Sequence, residues 1–117
     1  MTRYTALVGA ALVAVTLASP LQAEPMSAAE VQAFFGAGGF SARAGSKFGF
    51  SADGTFSIKH SSGSEKGTYT IGSDGVVTRM RTGAKKPDVF YIDVTAKGKK
   101  TIIYTAGQYK GKKFALK

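Results

Sequence analysis

Two Asp-Gly pairs, each set between alternating hydrophobic residues, limit most of what this chain can fold into. The first sits in Phe48-Gly-Phe50-Ser-Ala-Asp53-Gly54-Thr-Phe56-Ser-Ile58, the second in Tyr69-Thr-Ile71-Gly-Ser-Asp74-Gly75-Val-Val77. Asp-Gly in this setting is a hairpin signal. A two-residue loop at Asp53-Gly54 would set Phe50 opposite Ser57 and Phe56 opposite Ser51, mixing apolar and polar residues on both faces. A three-residue loop over Ala52-Asp53-Gly54 sets Phe50 opposite Phe56 and Phe48 opposite Ile58. Gly54 then takes the left-handed position of a G1 bulge without a Cβ penalty. Because a one-residue slip inverts both faces, the hydrophobic pattern selects the three-residue loop.

The same rule at Ser73-Asp74-Gly75 pairs Ile71 with Val77 and Tyr69 with Arg79. A third hairpin centred on Lys97 pairs Val94 with Lys100, Ile92 with Ile102 and Phe90 with Tyr104. Gly98 stands there where Gly54 stood. Strands are expected at roughly 40–44, 47–51, 55–60, 67–72, 76–81, 89–95, 100–105 and 111–116. Their short connections imply an antiparallel meander. The predicted fold is therefore all-β, a meander of about eight strands closed as a barrel or left as a half-barrel, with one short N-terminal helix. The expected inward face holds Phe48, Phe50, Phe56, Ile58, Tyr69, Ile71, Val77, Phe90, Ile92, Val94, Ile102 and Tyr104. Tyr91 and Ile103 are expected to pair on the opposite face. A shift of 44 residues matches Gly54 with Gly98, Ile58 with Ile102 and Lys66 with Lys110, a faint repeat that supports a pseudo-symmetric sheet.

The first 23 residues read as a cleaved signal peptide. Arg3 supplies the basic start, Leu7 to Ala18 the apolar stretch, and Ala23 the small residue before the cut. Residues 24–117 then form a single β-barrel-like domain, with no transmembrane span in the mature chain and a periplasmic or secreted location. Ser27-Ala-Ala-Glu30 is a capping box, opening a helix over about 28–35 whose Val31, Phe34 and Phe35 share one face. That helix is expected to dock its Phe pair on the sheet and plug one end of it.

Catalytic chemistry has little to stand on in the sequence. His60 is the one histidine and there is no cysteine. The serines around His60 read as a strand end and a turn, Ser61 to Glu65 as a loop, and His60 itself as a rim residue sharing a face with Ile58, near Gly67. Asp53, Asp74, Asp88 and Asp93 are dispersed, and the first two serve turns. No catalytic residue, metal ligand or cofactor site is assigned, and the chain reads as a non-enzyme.

Charge is the asymmetric feature. Without Arg3 the chain carries 15 basic and 7 acidic residues, a formal net charge of +8. No acidic residue follows Asp93. Arg79, Arg81, Lys97, Lys99, Lys100, Lys110, Lys112 and Lys113 are the candidate contacts for an anionic partner, with Tyr104, Tyr109 and Phe114 among them. Lysine outnumbers arginine, which favours diffuse attraction over bidentate phosphate recognition, and export disfavours intracellular nucleic acid.

The run Gly67-Thr-Tyr69-Thr-Ile71-Gly-Ser-Asp74-Gly75-Val76, following Ala52-Asp53-Gly54-Thr55-Phe56, resembles strand-and-turn patterns of small exported bacterial lipocalin-like domains. The resemblance covers roughly residues 26–117 as a layout of short helix and meander. Tyr69 stands where a Trp often follows the Gly, and the paired cysteines of some relatives are missing. The resemblance implies a barrel or half-barrel of the cell envelope with a small cavity, and carries over no binding residues. The expected function is an exported, non-enzymatic binding or structural module. It acts through its basic face on an anionic envelope component or through its interior on a small apolar ligand. The alternative is a secreted inhibitor or effector of another protein, presenting the Ser61–Glu65 loop or a mobile N-terminus.

Overall fold

The computed structural model describes residues 23–117, so the expected leader, apart from Ala23, lies outside the described residues. In chain order the elements are β1 (Glu24–Pro25), α1 (Ala28–Gly36), β2 (Phe40–Ser41), β3 (Lys47–Phe50), β4 (Thr55–His60), β5 (Gly63–Ile71), β6 (Val77–Arg81), β7 (Asp88–Val94), β8 (Lys100–Ala106) and β9 (Lys113–Ala115). Strands β2 to β9 pair in sequential antiparallel order and curl into a half-barrel. The residues just after its first and last strands are joined by one isolated bridge, Ala42 to Leu116. On either side, the Arg43 N–H donates to the Ala115 carbonyl at 2.8 Å and the Lys117 N–H to the Ser41 carbonyl at 2.9 Å. Strand β6 pairs with β7 only as far as Phe90, and β1 takes up the vacated edge at Asp93 and Val94.

The turns take the expected three-residue form. At the first, the Ser51 N–H donates to the Thr55 carbonyl at 2.8 Å and the Gly54 N–H to the Ser51 carbonyl at 3.0 Å. The pattern recurs with Gly75 and Gly98, and once where it was not expected, with Gly45 between β2 and β3. All four glycines hold φ between +86° and +110°, where a Cβ is strained. Asp53 and Asp74 each accept a backbone N–H two residues on, so both carboxylates are spent on the turn. The cross-strand pairs follow: Phe48 with Ile58, Phe50 with Phe56, Ile71 with Val77, Phe90 with Tyr104, Ile92 with Ile102.

Helix α1 begins with both bonds of the capping box, Ser27 Oγ accepting the Glu30 N–H and Glu30 accepting the Ser27 N–H. Phe35 is buried against Phe50, rings stacked 4.1 Å apart, while Phe34 stays half-buried under the Lys100 ammonium. The helix thus covers the end of the half-barrel that carries the 51–55 and 72–76 turns. The core holds nine of the expected inward residues fully buried, with Tyr69, Ile71 and Val94 packed at its margin.

Two differences from expectation bear on the site. Strand β5 starts at Gly63, not near 67, because Ser61 and Ser62 alone form the turn and His60 pairs with Gly63. Gly67 therefore lies opposite Phe56, away from His60. The stretch read as a Ser61–Glu65 loop is mostly strand. The second difference concerns Arg79, which lies in the core.

Candidate functional site

Strand periodicity explains how charge enters the interior. Val77, Arg79 and Arg81 share one face of β6, as do Asp88, Phe90 and Ile92 on β7, and Glu65 shares the inward face of β5 with Tyr69. Arg79 stands directly across from Asp88 in the β6–β7 register. Its side chain is 0 % exposed and that of Asp88 1 %.

The guanidinium of Arg79 is held from three sides. Nη1 donates to Glu65 Oε1 at 3.1 Å, Nη2 donates to the Tyr104 hydroxyl at 3.2 Å, and Nη2 lies 3.4 Å from Asp88 Oδ2. The rings of Phe56, Tyr104 and Tyr109 surround it, the nearest centroid 5.1 Å from Cζ. Nε is buried without a hydrogen-bond partner. Arg81 adds a second cation, its Nε donating to Asp88 Oδ2 at 3.2 Å, and the Gln108 N–H donates to Asp88 Oδ1 at 2.9 Å. Two arginines and two carboxylates make the cluster electrically neutral, which is what burial of ions requires.

A polar line runs from this cluster to the surface. Glu65 Oε2 accepts from the Tyr109 hydroxyl at 2.9 Å and from His60 Nε2 at 2.5 Å. His60 Nδ1 lies 2.7 Å from Ser46 Oγ. A neutral imidazole with its proton on Nε2 satisfies both contacts: it donates to the carboxylate and accepts from the serine hydroxyl. Burial pushes the Glu65 carboxyl upward, but the hydrogen bonds from His60, Tyr109 and Arg79 outweigh it, and its pKa falls below the ordinary value. Burial and the Glu65 carboxylate push the Tyr109 phenol up to about 12.

Ser46, Phe48, Ile58, Arg79, Tyr104 and Phe114 line a cavity of about 120 Å³, with His60 and Tyr109 at its rim. Outside it is an open depression bounded by Lys47, Lys59, Ser61 and Ser62, which shares Ser46, His60 and Tyr109 with the cavity. Among the described residues no three of His, Asp and Glu form a metal site, and no helix is long and apolar enough to cross a membrane.

Turns of a meander alternate between its two ends, and this sorts the charges. The 43–45, 61–62, 82–87 and 107–112 connections lie at the end away from α1. That open end carries Arg43, Lys47, Lys59, Lys85, Lys86, Lys110, Lys112 and Lys113. Its acidic residues are Glu65 and Asp88, both taken up by Arg79 and Arg81. Glu24, Glu30, Asp53, Asp74 and Asp93 all lie toward the helix end, with Lys97, Lys99 and Lys100. Every ion pair among the described residues belongs to the Arg79 cluster, so no lysine is paired there.

The candidate contacts named from the sequence are thus divided. Arg79 is interior and ion-paired, and Arg81 is partly covered and committed to Asp88, so neither belongs to the basic surface. Lys110, Lys112 and Lys113 lie at the open end and Lys97, Lys99 and Lys100 at the opposite one. Glu65, Asp88, Tyr109 and Ser46 were not singled out as one group. The available signal was period-two alternation, which puts Arg79 on the face of Val77.

No protein-family model, curated protein or solved structure matches the chain.

Proposed function

We propose that this is an exported, non-enzymatic binding module of the cell envelope whose basic open end engages an anionic partner. The observation that carries the reading is the separation of charge along the half-barrel. Internal neutralisation of Glu65 and Asp88 leaves lysines and Arg43 as the uncompensated charge at one end, while the carboxylates without an ion pair among the described residues sit at the other. Such a surface attracts anions over about a Debye length, roughly 8–10 Å at physiological salt. The interior reading is weaker, because a cavity of about 120 Å³ is well below the ~300 Å³ at which pockets for whole small molecules begin. An inhibitor role built on the Ser61–Glu65 loop loses its loop, since two residues make that turn. The lipocalin-like resemblance supports the envelope setting as an expectation.

The test is retention on immobilised polyphosphate across a salt gradient. Lys110→Glu with Lys112→Glu is expected to elute markedly earlier, whereas Lys97→Glu with Lys99→Glu shifts less. Equal shifts from the two double variants would reduce the charge to general solubility. Export is tested by the N-terminus of the protein recovered outside the cytoplasm, expected at Glu24.

A further inference from the structure

Resting on the basic-end reading, we propose that the partner is an unbranched phosphate polymer of the cell envelope, and that it lies in an oblique track on the outer wall of the half-barrel. Register lays the track down. Lys47 on β3 stands directly opposite Lys59 on β4. Lys66 on β5 stands opposite Ser57, one same-face step from Lys59 toward the helix end. On the other side Ser41 pairs with Lys47, and Arg43 lies one step from Ser41 toward the open end. The bridge from Ala42 to Leu116 sets Arg43 opposite Ala115, and Lys113 lies one step further the same way. Lys113, Arg43, Lys47, Lys59 and Lys66 therefore follow one another across adjacent strands, all exposed. Positions directly opposite or diagonal on one face of a sheet lie about 5–8 Å apart, so the track is roughly 25–30 Å long.

The chemistry of this wall selects the partner. The sole acidic residue on β2, β3, β4, β5 and β9 is Glu65, which is turned inward and paired with Arg79. None of the five cations is in an ion pair among the described residues. Lys47 and Lys59 repel each other across the β3–β4 ladder, and a polyanion laid over both removes that cost. The aromatic rings of these strands, Phe40, Phe48, Phe50, Phe56, Tyr69 and Phe114, pack in or against the core. The outer track thus has no ring on which a base could stack, and holds its partner by backbone charge alone. Four of its five cations are lysines, point charges that bind phosphate without bidentate geometry. The exposed hydroxyls of Ser57 and Ser64 stand beside them as further donors.

The experiment measures binding of the exported protein to long-chain inorganic polyphosphate across a salt series. Lys47→Gln with Lys59→Gln removes two track contacts and is expected to lower the log–log salt slope by roughly 1.5. Lys85→Gln with Lys86→Gln removes the same charge from the same end but off the track, and is expected to leave the slope nearly unchanged. Equal drops in the two double variants overturn the track and leave a diffuse field. Polyglutamate bound as tightly as polyphosphate overturns the phosphate assignment, and duplex DNA bound more tightly than polyphosphate overturns the envelope polymer. If the Lys47/Lys59 variant keeps the wild-type slope while Lys110→Glu with Lys112→Glu elutes early, the track fails and the basic-end reading stands. Absence of any polyphosphate binding by the wild type removes both.

Discussion

Arg79 shows how far single residues were readable. Pairing Tyr69 with Arg79 across the β5–β6 hairpin already put both on one face, and Tyr69 was expected inside. Arginine nonetheless read as surface because long charged side chains are seldom buried without partners. The partners come from β5 and β7, and one of them, Glu65, was hidden in a Ser/Gly-rich stretch. Replacing Glu65 by Gln leaves Arg79 short of one counter-ion and is expected to cost about 3 kcal/mol in chemical denaturation. The pH sign follows from the lowered Glu65 pKa. The unfolded chain binds the proton more readily, so the contribution is complete above the unfolded value of 4.5 and is lost as pH falls through the lower folded value. Below pH 4.5 the wild-type melting temperature should drop more steeply than that of the Gln variant. Tyr109 works in the other direction: its contribution is complete below 10 and is lost toward 12. A tyrosinate absorbance titration should lose one late-ionising phenol in Tyr109→Phe. The Ser46–His60–Glu65 order also matches a nucleophile, base and acid. Here, however, the same carboxylate is held by Arg79 and Tyr109, which weakens its support of an imidazolium. A serine-directed phosphonate is expected to leave Ser46 unlabelled, and stoichiometric labelling there would replace the binding reading with a hydrolytic one.

Among the elements, hairpins were the most readable because turn chemistry and alternation give the same register. The three-residue turns at Gly54, Gly75 and Gly98 and the paired apolar rows follow from that agreement. Strand β5 was misjudged at its start for a related reason. Ser61-Ser62-Gly63-Ser64 has loop composition, yet two residues suffice for the turn, and the remaining polar residues occupy ladder positions facing outward or toward the Arg79 cluster. Gly67 read as the entry to a strand, but it lies within one. A Cβ there would overlap the Met80 carbonyl on β6, so the bare backbone is what lets β5 and β6 approach. Gly67→Ala is therefore expected to destabilise by roughly 2 kcal/mol or more, the range for a strained, overpacked position. Gly49→Ala is a suitable comparison, since its nearest neighbour, Ser57 Oγ, lies at an ordinary 3.5 Å. Urea midpoints of the two variants should separate clearly, and equal midpoints would show that the two strands can part without cost.

At the scale of the molecule, the two ends have different tasks, and the sequence hinted at only one of them. The capping box and Phe pair indicated a helical plug, while the sorting of charge required the order of the turns. The plug is also a large share of the core. Met26, Val31 and Phe35 are buried in the N-terminal segment, and the Met26 N–H donates to the Ile92 carbonyl at 2.7 Å, tying that segment to β7. Its path crosses Gly75, where any Cβ would meet the Met26 carbonyl. Burying three such side chains contributes roughly 5–9 kcal/mol as an upper bound, comparable with the whole stability of a small domain, about 5–15 kcal/mol. A chain starting at Gly39 is therefore expected to lose its cooperative thermal transition, with Phe50 and Tyr69 left open to solvent. Phe35→Ala, which removes one ring and keeps the segment, should stay folded with a loss of about 3 kcal/mol. A cooperative melt in the shortened chain would mean the eight-stranded sheet sustains itself. The helix would then be a detachable cover over the surface formed by Phe50, Tyr69 and Ile71.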